Sequence, residues 1–484
     1  MTAGSGTLLS LPHDILALVC EQLGARGACI LSSTNRQMRL VLLATAFNTV
    51  TIPAWTELDS ADDRIFKVVR HLRFTHFTSR GDDLQSIGFC SCPFEDLAHF
   101  LLRLERPSNV QSLTVTLDGI AQCPCSVDST ASPLQKLPPE VVALLDSRLQ
   151  NLEEFVGQNV DDLAGQRPSP QPVSMWVLST GTRSALRRLS LHMHGQHWLF
   201  DGHWLDKFPS LERLNLHIWS IYPGCRLDTS QPSHRLTSLS FSISPWGSTD
   251  GLLIDQAASL LRSAPALEKL RLTIPTALGG GPSHDLLRDI FCDLRASSAR
   301  LRHLSLNGPS LHSLETFAGL VPLNSVRSFS TAIGANMAPA AFRSWLEALA
   351  PLLPCVKTFE INLGQRFGSE RGLGDIFAAL RGTLPPTVGE LCLSWSCPRQ
   401  DTQQLFAAMA SGVNHALGLP EVLALDCAPS VDEDAGPYRS AIDFPIDRVP
   451  PSMLRVIRIS LPGQRYSLSR DSSLAKGWRK KTVL

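Results

Sequence analysis

At 484 residues the chain is long enough for several compact domains or one extended array, and ample for a large core. Its 44 lysines and arginines balance 44 aspartates and glutamates, so bulk charge gives no drive toward nucleic acid or a membrane surface. Twelve cysteines are too sparse for a disulfide scaffold, and no uninterrupted apolar run reaches the roughly 18 residues of a membrane-spanning helix.

No Asn-x-Ser/Thr sequon occurs, and no lysine or arginine precedes the first apolar run, which Pro12, His13 and Asp14 interrupt. The expectation is therefore a chain with reduced cysteines, no secretory signal, and a place in the cytosol or nucleus.

The first predicted elements are short helices over 8–52. Ser10, Pro12 and Asp14 supply helix-start chemistry, because the first N–H groups lack partners and favour negative charge. Ile15, Leu16, Leu18, Val19 and Leu23 then fall at helical spacing, and Gly24 ends the run. A second apolar set from Cys29 to Leu43 is broken by SSTNR at Ser32 to Arg36. Three short helices bury little surface alone, so their apolar face needs a partner.

LPHDIL from Leu11, the apolar pair Ile30 and Leu31, and STNRQMR from Ser33 resemble an F-box motif, with Asp14 in place of the usual glutamate and Met38 at the usual tryptophan. The resemblance implies that Leu11, Pro12, Ile15, Leu16 and Val19 face the Skp-type adaptor of a cullin complex. On the residues alone, the same helices also suit an end cap on a repeat array.

After Ile52 one phrase recurs: apolar, two others, apolar, one other, apolar. LRRLSLHM from Leu186, LERLNLHI from Leu211, LTSLSFSI from Leu236, LEKLRLTI from Leu267 and LRHLSLNG from Leu301 are the clearest copies. Weaker ones start at Val69, Val110, Leu152, Val326, Val356, Val388, Val422 and Leu454. Alternation within the phrase predicts a strand with one buried face. Helical patterns lie between phrases, as at Asp255 and Ala340, and a crossover before every strand forces neighbours to be parallel.

The phrases resemble leucine-rich repeats, although starts spaced 25 to 42 residues apart are longer and less even than the family's. The expected fold is α/β: an F-box-like module over 8–52, then an irregular leucine-rich-repeat solenoid over 65–464 with parallel strands on the concave face and helices on the convex face. A doubly wound sheet with so many strands would be unusually wide. Pro-, Ser- and Gly-rich stretches at Asp118–Pro139, Asp161–Val173, Pro275–His284 and Ala428–Pro451 read as loops, and 465–484 as a basic tail. F-box followed by irregular repeats resembles a fungal arrangement.

Walker, HExxH, GxSxG and GxGxxG patterns are all missing, so neither catalysis nor a cofactor is expected. The CxC pairs Cys90/Cys92 and Cys123/Cys125 do not have the wider spacing usual for zinc, and His192, His194, His197 and His203 read as polar surface.

Strand parity carries the functional expectation. With Leu189 and Leu191 buried, Arg188, Ser190 and His192 take the opposite face, followed by Arg213, Asn215, His217 and Trp219, then Ser238, Ser240 and Ser242, then Lys269, Arg271 and Thr273, then His303, Ser305 and Asn307. Carboxylates enter only later, at Glu360 and Glu390. Arg188, His192, Arg213, His217, Trp219, Lys269, Arg271 and His303 are thus the expected contacts for an acidic or phosphorylated protein segment. The resemblance implies a non-catalytic receptor subunit of an SCF ubiquitin ligase. The alternative is a repeat scaffold that recruits no ligase.

Overall fold

The computed structural model describes residues 27, 30–31, 42, 48–53, 68–76, 102, 110–118, 147, 149–160, 184–193, 197–198, 204–218, 220–221, 235–243, 251–273, 300–307, 322–333, 339–363, 379–380, 382–397, 422–429, 456–461, 464–470 and 478–483. The chain divides into two compact units, 1–230 and 231–484.

In the first unit, β1 (Thr49–Pro53), β2 (His71–His76), β3 (Ser112–Asp118), β4 (Glu154–Val160), β5 (Arg188–Met193) and β7 (Arg213–Ile218) pair successively, all parallel. The two-residue strands β6 (His197–Trp198) and β8 (Ser220–Ile221) pair with each other. The second unit repeats the arrangement with β9 (Ser238–Ile243), β10 (Lys269–Thr273), β11 (His303–Asn307), β12 (Ser328–Ile333), β13 (Thr358–Leu363), β14 (Glu390–Cys397), β15 (Val422–Pro429) and β16 (Val456–Leu461), each parallel to the last.

Every recurring phrase is therefore a strand, and register stacks like positions into columns. Leu239, Leu270, Leu304, Phe329, Phe359 and Leu391 form one buried column, with Phe241, Leu272, Leu306, Thr331, Ile361 and Leu393 beside it. A third consists of the opening residue of each phrase, Leu236, Leu267, Leu301, Val326, Val356 and Val388. Each leucine so buried contributes about 1.5–3 kcal/mol of transfer free energy. In the first unit the second column reads Val115, Gly157, Leu191, Leu216, and the ring of Phe155 occupies the space that Gly157 leaves.

Crossover helices are described at α1 (Gly251–Arg262), between β9 and β10, and α2 (Pro339–Leu349), between β12 and β13. In α2, Phe342, Trp345, Leu346 and Leu349 fall at helical spacing and are all buried. Trp345 meets Phe329 at 6.4 Å between ring centroids, and Phe329 meets Phe359 at 5.2 Å. Trp345 therefore sets the helix against the apolar face of β12, where Phe329 meets Phe359 of β13, and the alternate residues of both strands take the other face. On its outer side Arg343 and Glu347 pair at 2.9 Å. No helix among the described residues is long and apolar enough to cross a membrane.

Two segments differ from the sequence reading. Thr49–Pro53, whose first four residues are expected in the helical module, is a sheet strand, because Val50 and Ile52 alternate with threonines and pair with Leu72 and Phe74. The expected basic tail instead forms β17 (Gln464–Arg470) and β18 (Trp478–Val483), which continue the sheet from β16 in antiparallel fashion. Leu461 pairs with Gln464 across the two-residue Pro-Gly step, a turn-forming dipeptide.

Gly27, Ile30, Leu31 and Leu42 are helical, with Leu42 buried and Ile30 exposed. Leu11, Pro12, Ile15, Leu16 and Val19 lie outside the described residues, as do both CxC pairs and nearly all of the expected loops.

Candidate protein-interaction face

The alternation that buries the leucines leaves their neighbours on the opposite face. Arg188, Arg213, Lys269, Arg271 and His303 are exposed, while Ser190, His192, Asn215 and His217 are half-buried. Trp219, His194 and His203 lie outside the described residues. The expected contacts fall into two groups, one in each unit.

In the first unit the positive charge is answered from within. The register sets Glu154 of β4 beside Arg188 of β5, and their side chains pair at 3.5 Å. The carboxylate comes from the strand ahead of the stretch in which no acidic residue is expected. The phrase that contains Glu154 carries glycine where others carry leucine, so its strand parity was obscured.

Next to that pair, Asn215 Nδ2 donates to Ser190 Oγ at 3.0 Å and to His192 Nε2 at 3.1 Å, and Ser190 Oγ lies 3.1 Å from the same ring nitrogen. His217 stacks on His192 with centroids 6.1 Å apart and the rings inclined by 16°. These side chains form a polar mat tied together by their own bonds.

The second unit is different. Lys269 and Arg271 project from β10 with no ion-pair partner among the described residues, and His303 stands next to Lys269 in register. Burial, reinforced by the charges of Lys269 and Arg302 and opposed by Glu268, holds the His303 imidazole below its ordinary pKa of 6.5. Hydroxyl and amide groups flank these cations at Ser238, Ser240, Ser305, Asn307, Ser328 and Ser330, and among the described strand residues of this unit the first carboxylate on this face is Glu360, on β13. Such a surface offers hydrogen-bond donors and uncompensated positive charge to an anionic group. Among the described residues no three His, Cys, Asp or Glu side chains gather as a metal-binding group.

A further row escaped the parity argument. The residue just ahead of each strand donates its N–H to the carbonyl of its counterpart in the preceding repeat. In the second unit this leading row runs Thr237, Glu268, Arg302, Arg327, Lys357, Gly389, joined by bonds of 2.7–2.8 Å. In the first unit it runs Asn48, Arg70, Gln111, Glu153, Arg187, Glu212, and Arg187 and Glu212 approach to 3.9 Å. The signal was present as the second letter of each phrase, but alternation begins one residue later and assigns that letter to neither face.

No protein-family model and no curated protein matches the sequence. Among solved structures, the crystal structure of the Rad7 and Elc1 complex in yeast aligns with 89% of this chain and 88% of that chain, at 13% identity and a TM-score of 0.33.

Proposed function

We propose that the chain is the substrate-recognition subunit of a cullin-based SCF ubiquitin ligase working in the cytosol or nucleus. Its N-terminal helices dock on the Skp-type adaptor through Leu11, Pro12, Ile15, Leu16 and Val19, and its irregular leucine-rich repeats hold a protein substrate. The observation that supports a binding role is the open polar face of the second unit, where Lys269 and Arg271 stand unpaired among the described residues beside His303. Arginine forks and lysine ammonium groups in such a setting suit carboxylate or phosphate oxygens. The adaptor half rests on the F-box resemblance of LPHDIL and STNRQMR.

The mechanism is proximity. The receptor makes and breaks no bonds, but raises the effective concentration of its substrate near the charged ubiquitin carrier held by other subunits.

The test is co-purification of the full chain with the Skp adaptor, beside a version carrying Leu11→Ala and Ile15→Asp. Retention by the unaltered chain alone supports the ligase reading. If neither version retains the adaptor while both stay folded, the helices are an end cap and the chain is a scaffold.

A further inference from the structure

We propose that Arg302, Arg327 and Lys357, continued by Lys269, form a docking rim for an extended acidic segment of a partner protein. The inference deepens the substrate-binding half of the reading above and does not depend on the adaptor half.

The backbone ladder fixes the three leading-row cations on consecutive strands, so they stand side by side at the inter-strand distance of about 4.8 Å. Like charges opposed in a sheet destabilise it. The first unit shows the same row without that conflict: Glu153, Arg187 and Glu212 alternate in sign, and two of them pair. In the second unit Glu268 precedes Arg302 in the row, but Arg302, Arg327 and Lys357 then follow one another with no carboxylate between them.

All three cations are exposed. Among the described residues Arg302 and Lys357 have no ion-pair partner, and Arg327 bonds only to carbonyl oxygens, of Asn324 at 2.9 Å and Cys355 at 3.5 Å. Those carbonyls orient the guanidinium without cancelling its charge. His303 stands beside Lys269 in register and next to Arg302 in the chain; its pKa is lowered mainly by burial, with Lys269 and Arg302 adding to the shift and Glu268 opposing it.

The dimensions define the occupant. From β10 to β13 is three inter-strand steps, about 14 Å, the length of four or five extended residues. Acidic side chains at alternate positions of an extended segment share one side and recur about every 6.6 Å, so three of them span about 13 Å. An acidic-x-acidic-x-acidic segment crossing the strands therefore matches the rim, and Ser328 and Thr358 lie next to it to donate hydrogen bonds. A single-stranded nucleic acid fits less well, because its bases need aromatic platforms and the described positions of these rows hold no phenylalanine, tyrosine or tryptophan, only the His303 ring.

The experiment measures fluorescence anisotropy of labelled peptides titrated with the full chain. One peptide carries three glutamates alternating with serines, a second carries the same residues with the glutamates in one block, and a single-stranded DNA of equal charge is the third probe. Arg302→Gln with Lys357→Gln forms the test variant, and Arg343→Gln on α2 is the control for a surface charge elsewhere. Melting of the test variant, which removes repulsion, reports that it is folded.

The alternating peptide is expected to bind more tightly than the block peptide and the DNA, to weaken about tenfold in the double variant, and to be indifferent to Arg343→Gln. Equal binding to the folded double variant, failure of the alternating peptide to bind, or tighter binding of the DNA would each overturn the proposal. Loss of adaptor retention with intact peptide binding removes the ligase reading and leaves the rim. The reverse removes the rim alone.

Discussion

Thr331→Val is expected to stabilise the protein. Thr331 occupies a core column between Leu306 and Ile361, is 0% exposed, and its Oγ1 has no hydrogen-bond partner among the described residues. Valine keeps the β-branched shape that suits a strand and replaces only the hydroxyl, so backbone preference and volume hardly change. An unpaired buried hydroxyl costs about 1–3 kcal/mol by mutational measures, and its removal should return about 1–2 kcal/mol. Because a repeat protein of this length need not unfold in one step, the readout is native-state hydrogen exchange at the amides of β12. Exchange through local opening should slow by about five- to thirtyfold. Thr358→Val, on the half-buried open face of the next strand, is the control and should move little. Faster exchange in Thr331→Val would mean that the hydroxyl is satisfied in solution, and would refute the reasoning.

Other outcomes follow from the same geometry. A Cβ on Gly157 would lie 3.3 Å from both Leu191 Cδ2 and Phe155 Cε1, so Gly157→Val should cost about 1–3 kcal/mol, with partial rescue by Phe155→Leu, read as thermal midpoints. Lys269→Gln should raise the His303 titration midpoint, followed by imidazole NMR; an unmoved midpoint would remove Lys269 from the causes and leave burial and Arg302. Since the folded pKa of His303 lies below 6.5, the folded state takes up this proton less readily, and stability should fall as pH drops from 6.5 through the lowered value. His303→Asn should flatten that part of the stability profile. Truncation after Gly463 strips β16 of its antiparallel partner and should produce self-association, visible by light scattering.

The repeat was legible because its phrases force period-2 alternation, and even the weaker copies at Val326 and Val356 became strands. The open face was legible wherever a leucine pair marked the parity. Glu154 was missed because Gly157 interrupts the apolar pattern, and the neighbour that neutralises Arg188 comes from 34 positions away. Composition misled at the end of the chain, where a run of lysines and arginines suggested solvent although Tyr466 and Leu468 alternate with serines in a strand. The leading row needs a third dimension: its like charges meet only once the repeats are laid side by side. Adaptor contacts were read from resemblance alone, and their residues lie outside those described.

Strict succession of the strands has a kinetic consequence. Each strand of the second unit finds its neighbour a modest distance along the chain, Leu304 pairing with Phe329 and Leu270 with Leu304, separations of 25 and 34 residues. Loop closure over such lengths is inexpensive, and no pairing among the described strands of this unit waits for a distant segment. Folding can therefore start at a local hydrophobic cluster, and among the described residues one is built where Trp345 of the α2 crossover meets Phe329, which in turn meets Phe359. From that nucleus, order can spread one repeat at a time in either direction, so damage to a peripheral strand should slow the last steps of assembly and spare the first.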